Sequence, residues 1–206
     1  SGLSILDVTE PSNILQLDQL GFPSGSESPF SRKGNFLFLG TTDGFQSIKV
    51  FDVSDESSIL EVHNIQTSAL VIDMLVEGDF LYATTFSDDN KYSLNTYQID
   101  SLGNLELIDS RLALSASGKV ATGAESIYLS SPEQLNIYTK NALNHGTKSL
   151  VNVSTPLDAK QVELVGGLAY VADGTSLRIY NVSDPESSVD ELSSISVTDF
   201  IEDMTV

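Results

Sequence analysis

The chain has 206 residues and no cysteine, and its 29 acidic residues against 10 basic ones leave a formal net charge of −19. This length predicts one domain with a sizeable core, and the lack of cysteine excludes disulfide bonds and thiol chemistry. The negative charge argues against nucleic acid and anionic membrane surfaces as partners. No apolar run approaches the roughly 18 residues that a membrane helix needs.

A phrase of strand-forming residues occurs five times along the chain. Its copies begin at positions 3, 48, 94, 135 and 177, in steps of 45, 46, 41 and 42 residues. A second phrase precedes the last four copies and ends in an aromatic residue each time, at Phe38, Tyr82, Tyr128 and Tyr170. Strands and turns that recur with a period of roughly 40 to 50 residues are typical of β-propeller blades. We therefore predict an all-β protein with the architecture of a β-propeller.

In chain order, the pattern predicts four strands per blade, which we call A, B, C and D from the propeller axis outward. Residues 3–8 and 14–17 supply strands C and D of one blade, and residues 200–206 supply a lone strand A. Four full units lie between them, over residues 20–64, 65–112, 113–153 and 154–196. We therefore predict about five four-stranded blades, closed by one blade that residues 1–19 and 197–206 share.

Strand B of that closing blade has no counterpart in the sequence. Strand A cannot pair with strand C across a missing strand, because neighbouring strands lie about 4.8 Å apart. Two explanations stay open. The protein continues beyond residue 206, or another chain supplies the strand, as in donor-strand assembly.

The turns are of two kinds. Asp43-Gly44 and Asp173-Gly174 lie between strands B and C, where a two-residue hairpin needs positive φ. After strand C, over residues 8–11 and 182–185, Asp, Ser and Thr side chains are placed to accept or donate hydrogen bonds to the backbone two residues on.

The repeated phrase resembles the LVIVD repeat family. Residues 170–173, Tyr-Val-Ala-Asp, and residues 177–185, Leu-Arg-Ile-Tyr-Asn-Val-Ser-Asp-Pro, nearly reproduce its pattern. Residues 3–11 and 48–55 are good partial copies, whereas the copies at Leu94 and Leu135 have drifted. The resemblance implies a β-propeller of the kind found mostly in bacterial secreted or surface proteins. It implies no particular reaction, because the family is defined by a repeat and not by a chemistry.

One column of positions is a candidate ligand site in the central channel. Nine residues before each strand B aromatic lie Pro29, Asp73, Lys119 and Gln161, and the similar phrases around Asp73 and Asp203 extend the column to Asp203. Strand A lines the channel of a propeller, where ligands often bind. The column is chemically mixed, so two interpretations stay open: a ligand pocket that includes Asp73, Lys119, Gln161 and Asp203, or a structural role in the channel wall.

Metal and catalytic motifs are scarce in the sequence. Asp88, Asp89 and Asn90 are weak candidates for calcium, because calcium takes clustered oxygen ligands, but they also suit a polar hairpin tip. The two histidines, His63 and His145, lie in different units without a partner at metal-ligand spacing. We therefore predict no catalytic residue and no cofactor apart from possible calcium.

Three functions from different classes fit these features. The first is a non-enzymatic module at the cell surface or outside the cell, which binds a protein or glycan or assembles with itself. The second is a glycoside-processing enzyme that uses channel carboxylates, which would need two such groups about 5 to 9.5 Å apart. The third is a calcium-dependent adhesion module. A secreted or surface location presumes that a signal peptide has been removed before Ser1.

Overall fold

The computed structural model describes residues 2–21, 28–41, 46–89, 91–113, 119–140, 147–201 and 203–205. Within these ranges the chain has no helix, and every paired strand is antiparallel, which confirms the all-β prediction. The described residues accordingly contain no helix long and apolar enough to cross a membrane. The strands are β1 (Gly2–Asp7), β2 (Leu15–Gly21), β3 (Phe30–Lys33), β4 (Phe36–Thr41), β5 (Ser47–Asp55), β6 (Ser58–Gln66), β7 (Leu70–Glu77), β8 (Phe80–Phe86), β9 (Tyr92–Ile99), β10 (Leu105–Ala113), β11 (Val120–Thr122), β12 (Ser126–Lys140), β13 (Thr147–Val165), β14 (Leu168–Asp173), β15 (Ser176–Asn181) and β16 (Asp190–Ser196).

The strands pair in chain order. Strands β1 and β2 form a two-stranded sheet, here called sheet N. Strands β3 to β6 form the four-stranded sheet 1, and β7 to β10 form the four-stranded sheet 2. Strands β11 to β16 are joined in one six-stranded order, in which β12 and β13 each contribute to more than one strand position.

Strand β12 turns back on itself at residues 132–133. Glu133 has a φ of +63°, and the Ser131 hydroxyl donates to the carbonyl of Gln134 at 3.0 Å. Lys140 N donates to the Glu125 carbonyl at 2.9 Å, and an equivalent bond joins strands B and C in each of the other three units. The first half of β12 is therefore strand B, and its second half is strand C.

Strand β13 passes from one unit to the next. Its residues up to 158 pair with β12, whereas residues 159–165 pair with β14. We call β11, β12 and the first part of β13 sheet 3, and the second part of β13 with β14, β15 and β16 sheet 4. The expected unit boundary at residues 153 and 154 thus falls inside a continuous strand, because the outer strand D runs directly into the next inner strand A.

Side chains bond the backbone two residues on in the turns after strand C, as predicted, but in the first and last copies the acceptor is the residue just before the predicted segments 8–11 and 182–185. The side chains of Asp7, Asp52 and Asn181 each accept a hydrogen bond from the N–H two residues on, at 2.8–3.1 Å. In the drifted second unit, Asp100 accepts the Leu102 N–H at 2.8 Å. Gly174 has a φ of +60°, as predicted. The prediction is wrong for Asp173, which ends β14 and pairs with Ser176, so the two turn residues are Gly174 and Thr175. The turn at Asp43-Gly44 lies outside the described residues.

Sheets 1, 2 and 3 bury apolar side chains on both faces. In β5, Ile48 and Val50 share a core cluster with sheet 2, whereas Phe51 points the other way and shares one with Leu3 and Leu20 of sheet N. Similar clusters join sheet 2 to sheet 3 and sheet 3 to sheet 4. Two-faced burial is what stacked blades require, and each fully buried side chain of this size contributes about 1.5–3 kcal/mol.

The prediction of a strand at residues 200–206 is wrong for the described residues in that range, which are not in a strand. Pairing with strand B would hold a strand A extended, and the sequence has no strand B for this one. The predicted closure is likewise not seen, because sheet N has two strands, β1 and β2, in the described residues. Instead, Ile201 N donates to the Gly174 carbonyl at 2.9 Å, at the edge of sheet 4.

Candidate functional site

The predicted channel column lies along the inner edges of the sheets. Asp73 belongs to β7 and Gln161 to β13, and Lys119 directly precedes β11. Asp73 and Gln161 are buried, with 8% and 7% of their surface exposed. Lys119 and Asp203 are exposed. These four positions therefore differ in access as well as in chemistry.

Asp73 joins the inner strands of sheets 2 and 3. Its carboxylate accepts the Val120 N–H at 2.7 Å and lies 3.5 Å from the Lys119 ammonium. Burial raises the pKa of the Asp73 carboxyl, and the bonds from Val120 and Lys119 only partly oppose it. The carboxylate thus bridges two sheets, with one of its oxygens used by a backbone donor.

Gln161 makes the same kind of bridge from sheet 4 to the C-terminal segment. Its amide nitrogen donates to the Met204 carbonyl at 2.8 Å, and its amide oxygen accepts the Met204 N–H at 2.9 Å. Val120 and Met204 each follow a column residue, so both bridges reach the same relative position of the next inner strand. Asp203 accepts the Met204 N–H with its own carboxylate at 3.0 Å. The column residues Asp73 and Gln161 therefore fasten neighbouring inner segments together.

A second set of polar residues runs outward across each sheet. The position three residues after the strand B aromatic is polar and buried in all four units, as Thr41, Thr85, Ser131 and Asp173. In sheet 2, Asn95 donates to the Thr85 hydroxyl at 3.0 Å and accepts from the Ser110 hydroxyl at 2.6 Å. The row thus links strands B, C and D. A polar residue at this position recurs in the sequence and could have indicated the row, but Asp173 is predicted above only as a turn residue.

In sheet 4 the same row is ionic. Asp173 is fully buried, and its carboxylate accepts Arg178 Nε at 2.6 Å and the Leu157 N–H at 2.9 Å. Arg178 also donates from Nη1 to both oxygens of Glu191 at 3.0 Å. Although burial acts to lower it, the bonds to Asp173 and Glu191 raise the pKa of the Arg178 guanidinium. This is a paired buried charge, held by strands B, C and D together.

The calcium candidates do not form a ligand cluster in the described residues. Asp89 is exposed and pairs with Lys91 and the Ser87 hydroxyl, and the Lys91 bond is the largest of the effects that lower the pKa of its carboxyl. Asp88 is exposed as well, and Asn90 lies outside the described residues. No group of three His, Asp or Glu side chains with metal-binding geometry occurs in the part of the chain that is described.

A cavity of about 360 Å³ lies between sheets 3 and 4, at the end opposite the B–C hairpins. Glycines 123, 166 and 167 form part of its rim, and Tyr128, Leu164 and Val182 supply apolar surface. Glu125 is the one carboxylate among its lining residues. The cavity is large enough for a small ligand, but it does not offer the two facing carboxylates of a glycosidase.

The fold and its repeat place the chain among propeller-like proteins built from radial antiparallel sheets. The LVIVD repeat model matches residues 30–67 and 157–195. The first match covers sheet 1, and the second covers sheet 4, so each match spans one four-stranded unit. The chain therefore carries LVIVD repeats, which confirms the resemblance that the sequence showed. No curated protein sequence matches this chain.

Several solved structures share the fold at low sequence identity. A protein from Lactobacillus plantarum has a TM-score of 0.76 at 10% identity, over 98% of this chain and 64% of its own length. A protein from Bacteroides uniformis, provisionally named a 6-phosphogluconolactonase, has a TM-score of 0.79 at 14% identity, over 95% of this chain and 65% of its own. A Bacteroides fragilis protein with the same provisional name has a TM-score of 0.74 at 12% identity, over 97% and 66%. This chain thus spans about two thirds of the length of these structures, and the likeness concerns the fold alone.

Proposed function

We propose that this chain is a non-enzymatic propeller module that binds a protein or a glycan, or assembles with itself, at the cell surface or outside the cell. One observation carries the proposal. The buried polar groups of the channel column, Asp73 and Gln161, are engaged in bridges between neighbouring inner segments. A general acid or base must reach the proton it transfers, and these groups are directed at the backbone.

The charge of the chain suggests the chemistry of its partner. A surface with a net charge of −19 repels anions and attracts neutral or basic partners. We therefore favour a neutral glycan or a basic protein segment. The count of about five blades and the donation of a strand by another chain stay predictions.

A glycan array probed in calcium and again in a chelator tests the binding role. We expect retained glycan binding in both buffers, with no release of sugar. Binding that is lost in chelator would favour the calcium-dependent adhesion module and would assign Asp88 and Asp89 to calcium. Absence of binding to every glycan and to basic peptides would remove the ligand-binding part of the proposal.

The enzymatic alternative is tested by turnover. The provisional names of the Bacteroides neighbours make 6-phosphogluconolactone the first substrate to try, alongside a panel of glycosides. We expect no turnover above the uncatalysed rate. Hydrolysis that is abolished by Asp73→Asn or Asp203→Asn, while Asp89→Asn retains it, would show that channel carboxylates are catalytic.

A further inference from the structure

Ion pairs join neighbouring sheets at the end of strand A. The position five residues before the strand B aromatic is Lys33 in sheet 1, Glu77 in sheet 2 and Gly123 in sheet 3. Lys33 pairs with Asp79 of sheet 2 at 2.6 Å, and Glu77 pairs with Lys140 of sheet 3. Gly123 has no side chain with which to reach sheet 4. The charged connection that follows sheets 1 and 2 is therefore missing after sheet 3.

Lys140 shows what fills this space between sheets 2 and 3. Its ammonium donates to the Glu77 carboxylate and to the Gly123 carbonyl, and it lies 5.7 Å from the centre of the Tyr82 ring. Only 10% of the Lys140 side chain is exposed. A cation within about 6 Å of an aromatic ring centre is attracted by the ring, and the carboxylate adds to that attraction. An ammonium group thus occupies the place beside the strand B aromatic of sheet 2.

Between sheets 3 and 4 the same place is a cavity. Tyr128 is the strand B aromatic there, Gly123 replaces Glu77, and Val182 replaces Lys140. Val182 and Lys140 are equivalent because each donates its backbone N–H to the strand B carbonyl of its own sheet. An added Cβ at Gly123 would lie 3.4 Å from Tyr128 Cε2 and 3.6 Å from Leu164 Cδ1, which both line the cavity of about 360 Å³. The cavity therefore lies where the glutamate and lysine side chains meet in the preceding pair of sheets.

The charges at the cavity favour a cation. Glu125 is exposed and supplies a carboxylate, and none of the described residues that line the cavity is basic. The Lys140 ammonium, which bonds the Gly123 carbonyl, is paired with Glu77. Leu164 and Val182 supply apolar surface. An anion would meet a carboxylate and no free cation, whereas a cation with an apolar stem meets opposite charge and apolar walls.

We infer that this cavity binds a primary ammonium group on an apolar stem, supplied by a lysine side chain of a partner or by a free alkylamine. The ammonium lies against the Tyr128 ring and pairs with Glu125, much as Lys140 lies against Tyr82 and pairs with Glu77. The methylene groups of the stem pack on the apolar walls. The inference rests on the proposed binding function and assigns a site to its basic partner.

Titration of the full chain with pentylamine, followed by the backbone amide signals in nuclear magnetic resonance, tests the inference. We expect saturable shifts of the amides of Gly123, Gly167 and Ser183, which line the cavity. Pentanol has the same stem without the charge, so it should bind at least about tenfold more weakly.

A glycine peptide with one lysine, and the same peptide with that lysine acetylated on Nζ, distinguish the two sources of the ammonium. The acetylated peptide should not shift the cavity amides, because it has lost the charge. Tighter binding of the lysine peptide than of pentylamine would assign the site to a protein partner. Tighter binding of pentylamine would assign it to a free amine.

Two variants locate the binding at the cavity. Gly123→Leu fills it, and Gly123 does not have a positive φ, so the backbone tolerates the change and binding should be lost. Glu125→Gln should weaken the binding of pentylamine by about tenfold, because a bond to a charged group becomes a bond to a neutral one. Asp79→Asn is the matched control, since Asp79 takes the place of Glu125 in sheet 2, and it should bind like the wild type. Glu125→Gln changes an exposed side chain, so it decides the case if Gly123→Leu fails to fold.

Equal affinity for pentylamine and pentanol, or binding of pentylamine that survives both variants, overturns the inference. Cavity amides that shift with glucose and not with pentylamine also overturn it and assign the cavity to neutral sugars. Basic peptides or glycans that bind the wild type and Gly123→Leu equally well would remove this site and leave the proposed function standing.

Discussion

At the scale of single residues, the buried ion pair in sheet 4 is the feature with the largest expected effect. Arg178→Met leaves the fully buried Asp173 carboxylate without its cation, which costs about 3–5 kcal/mol in the free energy of unfolding. Urea denaturation at pH 7 measures the loss. Lys33→Met is the control, because its partner Asp79 is largely exposed and solvent screens such a surface pair, so the loss should be much smaller. Equal losses in the two variants would contradict this account of Asp173.

Gly174 is a second position where one residue decides the local structure. Its φ of +60° suits glycine, and an added Cβ would lie 2.9 Å from Leu157 Cδ1. Gly174→Val is therefore expected to lose about 1–2 kcal/mol from the backbone alone, plus the cost of displacing Leu157. Gly34→Val is the matched control, since Gly34 has a φ of +55° and open space around it. Thermal unfolding should place Gly174→Val below Gly34→Val, and the reverse order would rule out the steric contribution.

Asp73 gives a prediction about pH. Burial raises its folded pKa above the ordinary value of 3.8, so the folded state binds this proton more tightly than the unfolded state. The resulting stability is fully present below pH 3.8 and is lost as the pH rises through the folded pKa. Asp73→Asn removes that dependence while keeping an oxygen for the Val120 N–H. We expect the stability of the variant relative to the wild type to be greater at pH 7 than at pH 3. A variant that loses stability specifically at pH 7 would show that the ionised carboxylate is favourable.

At the scale of the sheet, the chain provides matched positions in different surroundings. Ile137 and Ile179 occupy equivalent positions in the repeat. Ile137 is fully buried between sheets 3 and 4, whereas Ile179, in β15 of sheet 4, is half-buried. Ile137→Ala should cost about 2–5 kcal/mol, because it leaves a cavity in a closed contact. Ile179→Ala should cost clearly less, because part of that side chain already lies in solvent. Chemical denaturation of both variants at low protein concentration measures the difference, and equal costs would mean that the face of sheet 4 is already covered.

At the scale of the whole molecule, charge opposes the association of copies. Two chains that each carry −19 repel one another, and raising the salt from 0.1 M to 1 M shortens the Debye length from about 10 Å to about 3 Å. If copies associate as proposed, sedimentation should show stronger association in 1 M salt, because salt screens the repulsion between the copies. Association that weakens with salt would mean that attraction between opposite charges carries the contact.

The sequence predicted the repeated unit well because the unit is local. Strand order, the aromatic at the third position of strand B and the hydrogen bonds made by Asp52 and Asn181 all depend on residues a few positions apart. A period shared by two phrases then predicts stacked sheets with two buried faces, since each unit can cover its apolar side chains only against its neighbours. The LVIVD repeats at residues 30–67 and 157–195 follow from the same local pattern.

Tertiary structure decided what the channel column does and how the chain ends. Composition could not show that Asp73 and Gln161 bind the backbone of the next inner segment, because the donors, Val120 and Met204, lie more than 40 residues away. It also could not show that residues 200, 201 and 203–205 lack a strand, since an extended conformation depends on a neighbour that the local sequence does not contain. The faces of sheets N and 4 are the clearest case. Leu6 and Ile179 look like core residues in the repeat, and only the packing of the sheets leaves them open.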